Sequence, residues 1–455
     1  MDLEKIRNNR GKMIFKFSVP AIIAMVLTSL ITIADGFFTG RYVGKEGIAA
    51  INLGLPIVYL YLGLGLMLSV GGSSLAGMAL GEGDKEKCNK IFNQTMFTTV
   101  LVTFGVSLLA WVSFRPILSI LKVDDQVAHY FLGYYMIMLV ELPVLVINNA
   151  FGMFIRGEGN PQFFMKISIL NVVGNIILDD LFAGKLHMGI EGIALASLLS
   201  SCLCLLCILY YFIRKSSVFK FKRFQFVREV AIRTVMIGFS EFIGEISMSI
   251  TMFLYNLVIM RNIGVDGVTA FTIVGYISYV FSMILIGFGQ GICPLVSFTY
   301  GAGDKNLAKS IRKSTNGYVF VAGVIVFCVM FFLSGWYSGI FVKSEAVKEM
   351  VQSGITIFTL SFLFSGINTI TCFYFTSIGR AKESATISVM RGLIVLLICI
   401  AFFPVLFGMT GVWMVAPVTE MITMPVCIYF IWKNDRMIWA NSNISIENRP
   451  NATTR

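Results

Sequence analysis

Carboxylates set in long apolar runs are the residues of this chain best placed to do chemistry, because an acid at such a site must be protonated, paired or bound to a cation. Asp35 lies near the end of one such run, in Ala34-Asp-Gly-Phe-Phe-Thr-Gly40. Asp179 ends another, and Asn175 and Asn171 precede it at four-residue intervals. On a helix that spacing aligns Asn171, Asn175 and Asp179 along one stripe, a polar wall. Carboxyl groups in apolar surroundings suit reversible protonation, and two carboxylates with amide and hydroxyl oxygens equally suit a hard cation such as Na⁺. Both chemistries stay open; in the Na⁺ case the metal ligands are Asp35, Asn175 and Asp179. Read structurally instead, the stripe is an interhelical hydrogen-bond seam and Asp179 and Asp180 are solvated outer-loop residues near the span's end.

A second acidic set follows in Gly238-Phe-Ser-Glu-Phe-Ile-Gly-Glu-Ile-Ser247, where Glu241 and Glu245 stand one turn apart on a shared face. With Asn256, Gln290 and Asn171 they form the candidate substrate-binding lining. Glu141 and Glu420 are further acids at bilayer depth to which the sequence assigns no role. Acids and aromatics with scarcely any buried Lys or Arg select small organic cations with apolar bodies, through charge attraction and cation–π contact. The 40 Phe and 24 Met offer adaptable walls for such cargo. No Ser/His/Asp set, metal-ligand spacing or phosphate-cradling loop occurs at plausible depth, so neither an enzyme nor a cofactor is expected, only a coupling ion. His129 and His187 fall in expected outer loops, Cys204-x-x-Cys207 reads as a pair of ordinary membrane cysteines, and Gly287-x-Gly-x-Gly291 reads as close helix packing.

The elements that position these residues follow from composition. With 56% apolar and 13% charged residues in 455, the chain has too little polar surface for water and too much apolar surface for one globular core. Spans of roughly 20 apolar residues are what a bilayer requires. Cutting at charged and Gly/Pro-rich breaks predicts twelve, near 13–38, 48–80, 91–114, 129–155, 163–184, 190–213, 230–260, 267–299, 313–341, 350–377, 386–407 and 411–432. Of the 36 Lys and Arg, 28 fall on the side that holds both termini, which the positive-inside rule makes cytoplasmic. The formal charge of +11 therefore points to membrane lipid and not to nucleic acid. Its densest stretch, from Arg214 to Arg233, is expected to lie against anionic headgroups. The sequons at Asn443 and Asn451 fall in the cytoplasmic tail and are set aside.

Sliding the chain by 220 residues lays Arg41-Tyr-Val-Gly-Lys-Glu-Gly-Ile-Ala-Ala50 on Arg261-Asn-Ile-Gly-Val-Asp-Gly-Val-Thr-Ala270. The same shift pairs Gly71 with Gly291, Gly81-Glu-Gly-Asp-Lys85 with Gly301-Ala-Gly-Asp-Lys305, Asn148 with Asn368, and Gly159 with Gly379. One residue less pairs Gly189-Ile-Glu-Gly192 with Gly408-Met-Thr-Gly411. This is an internal duplication. Six spans per half is an even number, so the halves form a parallel repeat about a central cleft. The expected fold is an all-α polytopic membrane protein with an N-lobe at 1–213, a basic linker at 214–229, a C-lobe at 230–432 and a tail at 433–455.

At these residues the sequence resembles the multidrug and toxic compound extrusion (MATE) family over essentially its whole length. The carrying motifs are Asp35-x-x-Phe-x-Gly-Arg-Tyr-Val-Gly44, Gly81-x-Gly-Asp84, Arg156-Gly-Glu-Gly-Asn-Pro161, Asn175-Ile-Ile-Leu-Asp179 and Gly192-Ile-Ala-Leu-Ala-Ser197, echoed by Gly301-x-Gly-Asp304 and Ile378-Gly-Arg380. The resemblance is to the bacterial DinF/MepA-like branch. It implies a monomeric secondary antiporter of the bacterial plasma membrane that exports organic cations and amphipathic drugs in exchange for H⁺ or Na⁺. It also implies cation coupling at Asp35, Asn175, Asp179 and Ser197, the last keeping a hydroxyl where Thr is common, and an acidic contact at Glu245. Two departures stand out. Asp179-Asp180 replaces the usual Asp-Pro, and the tenth span, Ile355 to Ser377, has no acid. The competing readings are a lipid-linked oligosaccharide flippase of the same superfamily, which would want arginines in the cleft, and a non-transporting membrane scaffold or sensor.

Overall fold

The computed structural model describes residues 1–120, 122–222 and 225–447. A short helix α1 (Leu3–Asn8) precedes α2 (Arg10–Tyr42), α3 (Lys45–Gly81), α4 (Lys85–Ile120), α5 (Asp125–Glu158), α6 (Pro161–Asp179) with a π-helical turn (Asp180–Lys185), and α7 (Gly189–Arg214). The second half repeats the order with α8 (Arg228–Asn262), α9 (Val265–Gly301), α10 (Lys305–Phe341), α11 (Glu345–Phe358) running through a 3₁₀ turn into α12 (Phe362–Ser377), then α13 (Ala381–Val389), a π-helical turn (Met390–Ile394) and α14 (Val395–Glu447). Among the described residues there is no strand. Helix is the form that satisfies the backbone within one segment when no water is at hand.

Eleven helical stretches are long and apolar enough to cross a bilayer. The last, 60 residues long, is broken at Gly408 (φ 57°, ψ −134°) into two crossings, so all twelve predicted spans are present. The predicted tail is helical up to Glu447; Asn451 lies outside the described residues. His129 proves to sit in the first turns of α5, exposed.

The duplication is visible in the backbone. Gly44 and Gly264 have φ of 104° and 97°, Gly83 and Gly303 81° and 84°, Gly159 and Gly379 105° and 74°, and Gly189 and Gly408 62° and 57°. Each pair is related by the repeat, and each takes the left-handed conformation that only glycine adopts without cost. The caps match too: Oδ1 of Asp84 accepts from the Lys87 N–H and Oδ1 of Asp304 from the Leu307 N–H, both at 2.9 Å.

The halves meet along α3 with α8 and along α2 with α9. Their approach is close enough to exclude a methyl group. A Cβ on Gly238 would fall 1.8 Å from the Met67 carbonyl oxygen, one on Gly71 2.1 Å from that of Thr234, and one on Gly301 2.1 Å from that of Met78. Gly287 and Gly291 lie in the same way on the backbone of Ile22 and Ser18. Buried polar ties cross here, Arg156 donating to Oε1 of Gln290 at 3.0 Å and the Ser74 hydroxyl meeting the Cys293 thiol at 3.3 Å, and at the surface Arg7 pairs with Asp304 at 2.8 Å and Arg10 bonds Ser310. All of these contacts lie toward the end that carries the N-terminus and the linker. In the other halves of the same helices, a Cβ on Gly36 or Gly275 would meet nothing within 4 Å. The close backbone approaches between the lobes thus lie at the terminal end.

The linker is knitted to the first half. Asn89 and Asn93 each bond a linker N–H and carbonyl, Gln94 takes both backbone groups of Val227, and Glu158 accepts from the Ser217 and Val218 N–H groups at 2.6 Å. Phe219 is buried, while Lys220 and Lys222 stay exposed.

The expectation of scarcely any buried Arg is corrected. Arg156 and Arg312 are 2% and 4% exposed. Arg391, inside the predicted eleventh span at 386–407, donates from Nε to Glu420 at 2.6 Å and from Nη1 to Thr369 at 2.7 Å. A charged residue breaks the apolar window in sequence, but a carboxylate from the next span neutralises it in space.

Two outcomes follow from this packing. In a variant whose sole cysteine is Cys293, Gly238→Val wedges the seal, and labelling of that thiol by a membrane-permeant maleimide rises by about tenfold or more. Glu420→Gln leaves Arg391 without its counter-ion and lowers stability by about 2–3 kcal/mol in a detergent melt, short of the cost for a fully buried pair because Arg391 stays partly accessible; replacing both residues by apolar ones recovers most of the loss.

Candidate functional site

Three helices of the first half converge on one polar cluster. α2 supplies Asp35, α6 supplies Asn175 and Asp179, and α7 supplies Ser197. Asn175 and Asp179 are fully buried, Ser197 is 5% exposed and Asp35 9%. The Asn175 amide donates to the Ser197 hydroxyl at 3.0 Å, and that hydroxyl donates to Oδ2 of Asp35 at 3.5 Å. The Asp35 and Asp179 side chains are neighbours, and Oδ1 of Asp35 and both carboxylate oxygens of Asp179 are buried without a hydrogen-bond donor. Two buried acids that lack donors are satisfied by a proton or another cation beside them.

Local geometry separates the two neighbouring aspartates. Asp179 is the last residue of α6, and the Asp180 N–H bonds the carbonyls of both Ile176 and Ile177 as the helix widens into the π turn. A proline at 180 could not make that bond. The helix therefore continues, turning Asp179 inward, while Asp180 faces out to the Tyr42 hydroxyl at 3.4 Å and to Lys185 at 3.9 Å. Turns of this kind recur at functional sites. Asn171, on the same stripe, is half-buried and stands outside the cluster.

Two residues beside the cluster escaped the sequence reading. Tyr134 on α5 lies within electrostatic reach of Asp35, Asp179 and Glu141. Ser201 on α7 donates to Oε1 of Glu141 at 3.0 Å, which gives that acid, 3% exposed, a partner. The repeat held the signal for Ser201: Asn148 donates to the Ser201 carbonyl at 2.9 Å, and Asn368 donates to the Glu420 carbonyl at 3.0 Å.

In the second half, Glu241 and Glu245 share a face of α8 but not a neighbourhood. Glu241 accepts from the Thr376 and Ser240 hydroxyls at 3.4 and 3.5 Å, inside the C-lobe. Glu245 faces the other lobe: its Cβ lies 3.4 Å from where a Cβ on Gly63 of α3 would stand. Gln290 sits in the interlobe seal on Arg156, and Asn256 donates to the Met252 carbonyl of its own helix. The first-half cluster offers carboxylate, amide and hydroxyl oxygens, a donor set that fits a hard cation. Among the described residues no group of three or more His, Cys, Asp or Glu side chains could hold a metal ion.

A family model described as MatE matches residues 20–181 and 242–401. The multidrug export protein MepA of Staphylococcus saprophyticus subsp. saprophyticus is 24% identical over 398 residues, covering 87% of this chain and 86% of that one. MepA of Staphylococcus aureus is 23% identical over 403 residues, covering 88% and 89%. Among solved structures, an outward-facing multidrug resistance MATE family transporter of the MOP superfamily superposes with a TM-score of 0.90 at 21% identity, covering 96% of this chain and 98% of that one. MATE in the bent conformation gives 0.90 at 22%, covering 97% and 99%. The twelve crossings, the duplicated halves and the match across most of both repeats have one reading: this chain is a multi-pass membrane protein of the MatE transporter family.

Proposed function

We propose that the chain is a monomeric secondary antiporter of the bacterial plasma membrane that exports small organic cations and amphipathic drugs in exchange for inward H⁺ or Na⁺. The observation that carries this reading is the neighbouring, buried Asp35 and Asp179, whose oxygens Asp35 Oδ1 and Asp179 Oδ1 and Oδ2 have no hydrogen-bond donor and so call for a proton or another cation. With both termini cytoplasmic, as the distribution of Lys and Arg favours, the closely packed end of the lobes is the inner gate.

In that arrangement the pair loads from outside. Loading draws α2 and α6 together and repacks α2, which narrows the cleft and expels its cargo outward; release of the ion to the inside lets α2 relax and readmits drug. Ser197 and Asn175 orient the acids, and Glu245 meets the positive charge of the cargo. Basic side chains along the linker keep the inner surface on anionic lipid.

A lipid-linked oligosaccharide flippase would need cationic side chains free to meet a pyrophosphate. Arg391 is engaged by Glu420 and Arg156 lies within the seal, so neither is free for that role. A non-transporting scaffold or sensor gives no reason for paired acids at this depth.

The test is flux of ethidium from proteoliposomes under separately imposed pH and Na⁺ gradients. An outside-acid or outside-sodium gradient drives efflux in the intact protein, and whichever does so names the ion. Asp35→Asn reduces driven efflux to the level of empty liposomes while membrane insertion is unchanged; undiminished efflux in that variant ends the assignment.

A further inference from the structure

The repeat that pairs the glycines also sets α4, beginning at Lys85, in register with α10, beginning at Lys305, each the third membrane helix of its half. The linker, which leads into α8, lies on the first turns of α4, where Asn89 and Asn93 hold it. The segment that leads into α2 does the same on the opposite half. Ile6 of α1 is fully buried in the apolar core of the C-lobe with Leu307, Ala308 and Ile311 of α10, and Leu3 packs against that core. Arg7 pairs with Oδ2 of Asp304 at 2.8 Å, leaving Oδ1 to cap α10. Arg10 bonds Ser310, and the Phe15 and Tyr318 rings lie 4.8 Å apart. Each lobe is thus strapped, at the terminal end, by the lead-in of the other.

The two straps differ in what undoes them. The linker is continuous with both lobes and is bonded through its own backbone, so it stays. The lead-in to α2 holds the C-lobe through side chains: a buried isoleucine, a largely exposed ion pair and a hydroxyl. Asn9, with φ −125° and ψ 41°, breaks the helix between α1 and α2 and supplies a joint. We propose that Leu3–Arg10 is a latch on the inner gate, which keeps the terminal ends of the lobes together while it lies on α10 and frees them to part when it leaves. An exposed ion pair adds little to such a hold, so most of it comes from Ile6. One helix, α2, runs from Arg10 to beyond Asp35, so the latch stands at one end of the element whose other end carries the carboxyl of the buried pair. This inference rests on the export reading for the name of the gate but not for its test, which measures access to the seal without transport.

The experiment uses the purified full chain in detergent, with Cys293 as its sole cysteine and a maleimide as the probe of the seal. Ile6→Ser raises the labelling rate by about tenfold. Arg7→Glu, which sets like charges together at Asp304, raises it by about two- to fivefold. Adding Asp304→Asn to Arg7→Glu keeps a capping oxygen for α10, removes the repulsion and returns the rate to within about twofold of the starting protein. The Arg7→Glu comparison stands even where Ile6→Ser loosens the core, because Arg7 lies at the surface. Labelling that changes in neither single variant overturns the latch. So does a rise in Arg7→Glu that Asp304→Asn leaves undiminished, since it then owes nothing to the contact with α10. A chain that shows the expected pattern yet moves no ethidium across a membrane keeps the latch and sinks the export reading; one that exports ethidium while both variants label as the starting protein does sinks the latch alone.

Discussion

No water reaches the hydrocarbon core of a bilayer, so each polar side chain carried to that depth must find its partner within the protein. This chain answers that demand in two ways. In the second half, Arg391 and Glu420 neutralise each other and bond Thr369 and Asn368, which makes a permanent lock between the tenth, eleventh and twelfth spans. In the first half, Asp35 and Asp179 lie together with no basic partner, and Asp35 Oδ1 and both oxygens of Asp179 are buried without a donor. One half is held by paired charge and the other keeps acids without a counter-ion, although both descend from the same repeat.

Most of the architecture was legible in composition and periodicity. The twelve apolar windows lie inside the observed helices because charged and glycine-rich breaks coincide with the caps, and the caps recur because the repeat preserves left-handed glycines at Gly44 and Gly264, Gly83 and Gly303, Gly159 and Gly379. The stripe of Asn175 and Asp179 was legible for the same reason: helical spacing is local. What could not be read was tertiary. The partner of Arg391 could not be read because it lies a span away, and Gln290 looked like cleft lining because nothing local to it says that Arg156 fills the space beside it.

The seal shows how much a missing side chain can do. Gly71 and Gly291, and Gly81 and Gly301, are repeat partners, and each presses on backbone of the opposite lobe. Such contacts gain packing without side-chain ordering and can part without leaving a charged or bulky group exposed. The buried polar ties within the seal are few, and Arg156 reaches across the interface with a neutral amide as its partner there. An interface built this way holds firmly in one arrangement and resists little when pulled open.

The linker adds a mechanical condition. Because Gln94 grips Val227 on both its backbone groups and α8 starts at Arg228, no slack chain separates the first bundle from the first helix of the second. The two bundles are joined as a door is to its frame, at a fixed pin, and not as two boats on a rope. Translation of the second bundle along the membrane would break both Gln94 bonds, whereas a swing about that point keeps them and has its widest travel on the opposite face.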